Sequence, residues 1–93
     1  MPKFLAVHPM PSPMSLEEGA PVAKMVKSHC SADAYWISSW VQLNEEGKIV
    51  KTFCEWNAKD MKTVKTVLES LEKEGLPLEG LYPMAKLDPE DFV

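Results

Sequence analysis

Two alternating apolar segments limit the fold of this chain more than any other feature. They are Ala34 to Leu43 and Lys48 to Trp56, joined by Asn44-Glu45-Glu46-Gly47. Apolar residues that recur every second position mark strands, and a short polar joint with a glycine free to take positive φ marks a hairpin turn. A four-residue loop sets Leu43 against Lys48 and Ile37 against Cys54. That register gives one face to Tyr35, Ile37, Ser39 and Val41 with Val50, Thr52, Cys54 and Trp56. The other face then carries Trp36, Ser38, Trp40 and Gln42 with Ile49, Lys51, Phe53 and Glu55. Both faces bear large apolar groups. One is expected to meet helices, and the other needs a separate cover.

The flanking segments supply the helices and two more strands. Lys3 to His8 reads as a strand, stopped by Pro9, Pro11 and Pro13, because proline cannot donate to a ladder. Ser15 and Glu18 have capping-box spacing. Pro21 lies too deep for that start, so the helix kinks or its main part begins at Ala20-Pro21. Val22, Met25, Val26 and His29-Cys30 then share a face. Asp60 is an N-cap for a second helix carrying Met61, Val64, Val67, Leu68 and Leu71, which Gly75 ends and Pro77 keeps from resuming. Leu81 to Leu87 is the last strand, with Pro83 arguing for an edge position. An acidic stretch, Asp88 to Asp91, follows.

The order is β-α-β-β-α-β, which predicts a ferredoxin-like α+β fold over residues 1–93. It is a single domain: one four-stranded antiparallel sheet with both helices on one face. The bare face predicts a homodimer, two sheets packed with their tryptophans between them.

Charge narrows the function. The ten Lys and Arg residues are scattered among fourteen acids, giving net −4. Nucleic-acid binding needs clustered cations and is not expected. No apolar run approaches the ~20 residues of a membrane span. Met1 to Val7 is short for a signal peptide, which points to the cytoplasm and to two free thiols.

Certain fragments resemble a known family. These are Phe4-Leu5-Ala6-Val7-His8, Trp40-Val41 before the turn, Thr52-Phe53-Cys54 after it, and Ala58 and Asp60 ahead of a helix that ends at Gly75. Together they are similar to the small ferredoxin-like proteins typified by a bacterial nickel-binding protein. The resemblance implies a dimeric α+β barrel and binding of nickel or another divalent transition metal. His8 matches the family's strand-end histidine and Cys54 its strand cysteine. The chain departs from the family where many relatives carry a histidine within each helix. Here Ala23 to Met25 and Val67-Leu68 stand in those stretches.

The residues alone give a related reading. Nickel, copper and zinc favour imidazole and thiolate, and Cu(I) accepts thioethers. His8, Met10 and Met14 are near one another, and His29 adjoins Cys30, but none has a recognised ligand spacing. Antiparallel pairing of the first and third strands sends Cys54 toward the Phe4 end, so a site shared with His8 would draw on a second chain. The metal candidates are thus His8, Cys54 and Met10 in a small, non-catalytic binding protein. Each has an ordinary role as well: a hydrogen-bonded rim histidine, a packed cysteine, a methionine in a proline-rich lid. The alternative is a small-molecule-binding or isomerase- or monooxygenase-like dimeric barrel, with His8 as acid or base and Tyr35 as a donor. No nucleophile–base–orienter set is visible.

Overall fold

The computed structural model describes residues 1–92. Its elements in chain order are β1 (Lys3–Met14), α1 (Ala20–Ser28), β2 (Ala34–Leu43), β3 (Ile49–Ala58), α2 (Met61–Lys73), β4 (Gly80–Met84) and a 3-10 turn at Pro89–Asp91. One four-stranded antiparallel sheet has the order β2-β3-β1-β4. Each helix connects two strands that have a third between them, the split βαβ arrangement.

The local chemistry explains each boundary. Asp60 is extended, and its carboxylate accepts from the Thr63 N–H at 2.8 Å and from the Thr63 hydroxyl at 2.6 Å, capping α2. Gly75 follows that helix with φ +101°, a conformation costly for any residue with a Cβ. Gly47 has φ +77° in the hairpin turn, where Asn44 Oδ1 accepts from the Glu46 and Lys48 N–H groups at 3.0 Å each. Ser15 and Glu18 do form the reciprocal capping box: Ser15 N–H donates to Glu18 Oε1 at 2.9 Å and Glu18 N–H donates to Ser15 Oγ at 3.0 Å. The box closes a single turn. Helix α1 itself begins at Ala20, with proline in its first turn, where an N–H is dispensable.

Three expectations need correction. First, β1 does not stop at Pro9 but runs on to Met14. Its Val7 carbonyl accepts from Glu79 N–H at 2.8 Å on the β4 side, and the β4 ladder ends at Val7↔Gly80. Beyond Val7 that edge of β1 has no partner strand, so a proline there removes no ladder bond. Second, β4 is shorter than Leu81 to Leu87, although it is an edge strand carrying Pro83 as expected. Third, the hairpin register differs. Ser39, not Ile37, lies opposite Cys54, and the ladder shifts between Trp36 and Ser38 and again between Gln42 and Leu43. Ile37 and Val50 are the extra residues. A one-residue bulge moves everything beyond it to the other face. Trp36 therefore turns to the helices and Tyr35 away from them.

The core lies between the sheet and both helices. Phe4, Ala6, Cys54 and Trp56 from the strands pack with Val26 of α1 and with Val64, Leu68 and Leu71 of α2. The tryptophans have three different fates: Trp56 is fully buried in this core, Trp36 packs against it half-buried, and Trp40 stands 83% exposed on the helix-free face. Leu5, Phe53 and Met84 border the same depression as Trp40 there. Two ion pairs lie on that side, Lys3 of β1 to Glu55 of β3 at 2.6 Å and Lys51 of β3 to Glu79, just ahead of β4, at 3.0 Å. Among the described residues, no helix is long and apolar enough to cross a membrane.

Candidate functional site: a cavity beneath the first helix

Residue alternation brings one row of side chains under α1. On β1, Phe4, Ala6 and His8 point the same way. Opposite them on β3 lie Trp56, Cys54 and Thr52. On β2, past the bulge, Ser39 faces Cys54 and Val41 faces Thr52. Helix α1 does not seal this row. A cavity of about 240 Å³ lies beneath it, lined by His8, Met10, Met14 and Thr52 on one side and by Val22, Ala23 and Val26 on the other. Trp36, Ser39, Val41, Ile49, Cys54 and Leu76 complete most of the wall. Exposed Leu16 and Val41 belong to the lining as well, so they mark the mouth. Not one Asp, Glu, Lys or Arg lines it.

His8 is 2% exposed, and its Nδ1 lies 2.7 Å from the Pro77 carbonyl oxygen. A carbonyl only accepts, so Nδ1 carries the proton and donates. Burial pushes the imidazole below its ordinary 6.5, against smaller upward pulls from the Pro77 bond and the Glu72 carboxylate. His8 is therefore neutral at pH 7, with a bare lone pair on Nε2. That atom has no hydrogen-bond partner among the described residues, and His8 lines the cavity.

A second polar feature runs across the sheet. Trp36 Nε1–H donates to Ser39 Oγ at 2.8 Å, and the Ser39 hydroxyl donates to Cys54 Sγ at 3.0 Å. Thr52 Oγ1 lies 3.7 Å from the same sulfur. Burial pushes the Cys54 thiol up, outweighing the Ser39 and Thr52 bonds that pull it down. Cys54 is a protonated thiol that accepts from Ser39, and either Cys54 or Thr52 can supply the proton of their longer contact.

The three residues singled out as metal ligands, His8, Cys54 and Met10, all line this one cavity. Cys54 sits opposite Ala6, two residues from His8, so both side chains line one cavity within a single chain. The donor set is nonetheless incomplete for a nickel-type ion. No group of three or more His, Cys, Asp or Glu side chains comes together among the described residues, and Cys54 is held as a thiol. Both cysteines are free. His29 is elsewhere, paired with Glu74 at the ends of the two helices. Cys30 Sγ accepts from Trp36 N–H at 3.3 Å, a structural role. Tyr35 is not beside His8: its hydroxyl accepts from Asn57 Nδ2 at 3.3 Å on the helix-free side.

Sequence reasoning placed Ser39 and Thr52 on the Cys54 face but gave them no role. The β1–β3 register of the fold sets Thr52 directly opposite His8, a pairing that the sequence alone does not give. Comparison of the chain with protein-family models, curated proteins and solved structures finds no match, so no relative supports a nickel-binding family.

Proposed function

We propose that this protein binds a small apolar molecule in the cavity between α1 and the sheet. The observation that carries this reading is a 240 Å³ space walled mostly by apolar side chains, with one buried histidine in its lining. Small-molecule sites are mostly apolar concavities with a few placed polar groups. An apolar cavity of roughly 150 Å³ suffices for benzene. Benzene is a suitable first probe, read by amide NMR. Shifts are expected at Val22, Val26, Ser39 and Cys54, and an Ala23→Trp variant, which fills the space, abolishes them. Shifts confined to Leu5, Phe53 and Tyr82 would remove the cavity as the site.

A second reading is uptake of a divalent transition metal, favoured by the presence of His8, Met10 and Cys54 around one cavity. It requires a buried thiol to ionise and further donors to join. Nickel titration by calorimetry on the wild type and on His8→Ala decides it: equal heats from both proteins dismiss His8 as a ligand.

We also infer a homodimer formed through the helix-free face. Trp40 stands there with Leu5, Phe53, Tyr82 and Met84, and exposed apolar surface of this kind favours a partner. A second copy offers the same indole and the same Lys3–Glu55 pairs, as an isologous contact requires.

A further inference from the structure

We propose that the ligand of this cavity is an uncharged ring compound bearing a hydroxyl group, held by that hydroxyl between His8 and Thr52. The inference rests on the cavity reading above and deepens it.

The two groups are direct partners across the β1–β3 pair and both line the space. Such partners have Cβ atoms about 4.5–5.5 Å apart. His8 can only accept there, because its proton is committed to the Pro77 carbonyl. Thr52 can donate, because its one side-chain contact among the described residues, to Cys54 Sγ at 3.7 Å, is too long to hold its proton firmly. The ligand must therefore present a donor and an acceptor within one small polar group. A hydroxyl does so through a single oxygen: its proton goes to His8 Nε2 and its lone pair takes the Thr52 proton. Hydrocarbons leave both protein groups unpaired, which weakens their binding. Carboxylates offer no proton to Nε2 and would enter a wall with no cation to meet their charge. The other wall donors do not compete. The Trp36 N–H and the Ser39 O–H are both engaged. The volume, 240 Å³, suits one substituted ring.

Phenol, benzene and benzoate separate these cases when titrated at pH 7.5 and followed by NMR shifts at Val26 and Cys54. Phenol is expected to bind about tenfold more tightly than benzene, and benzoate to give no saturable shift. Thr52→Val keeps the shape of its side chain and should bring the ratio of phenol to benzene affinity close to one. His8→Phe should do the same. Should that variant fail to fold, Thr52→Val alone carries the test. Equal affinity for phenol and benzene, or an undiminished preference in Thr52→Val, overturns the proposal and leaves the cavity reading intact. Failure of benzene and phenol alike overturns the cavity reading itself.

Discussion

At the scale of single residues, His8 carries the account. Its folded-state pKa lies below the ordinary 6.5 because burial disfavours the cation. Below that value the unfolded chain binds the proton more readily than the folded one, so stability rises with pH. The contribution is complete above about 6.5 and is lost as pH falls through 6.5 toward the lower folded value. Urea unfolding from pH 8 to 5 should show a falling midpoint in the wild type, with a shallower fall in His8→Gln. Identical slopes would mean that the imidazole is charged or solvated in the folded protein. The Thr52 hydroxyl matters to binding and little to the fold, since its sulfur contact at 3.7 Å is long.

At the scale of elements, the helices were readable because their signals are local. Asp60 as a cap and Gly75 as a terminator act within one turn of their own position, and both stand where their residue types announce them. Gly75→Ala is expected to cost roughly 1–2 kcal/mol, from forcing a Cβ into a left-handed conformation. Asp60→Ala should lower the urea midpoint without changing the slope, and Asp60→Asn should restore most of the loss. Leu68→Ala, in the sealed core, should cost about 2–5 kcal/mol. The strands were legible in number and order but not in phase. Nothing in Trp36-Ile37-Ser38 marks a bulge, yet the extra residue there moves Trp36 to the helix side and Tyr35 to the open one. The three residues singled out in the sequence, His8, Met10 and Cys54, do line one cavity. The cavity itself was not legible, because it depends on how closely α1 approaches the sheet, and no residue pattern encodes that distance.

At the scale of the whole molecule, the helix-free face and the cavity lie on opposite sides of one sheet. Dimerisation through the former leaves the latter open at its mouth near Leu16 and Val41. Light scattering should give twice the 10.5 kDa chain mass at micromolar concentration, and Trp40→Lys should return it to the single-chain value. Ligand binding should survive that change, because Trp40 is no part of the cavity wall. The preformed cavity is the claim on which the functional reading stands, and xenon is a probe of it that presumes no ligand chemistry. In a crystal equilibrated under xenon pressure, a bound atom is expected beneath α1, among Val22, Val26, Trp36 and Thr52. Electron density with no xenon there, and with Met10, Met14 and Ile49 collapsed into the space, would contradict that claim.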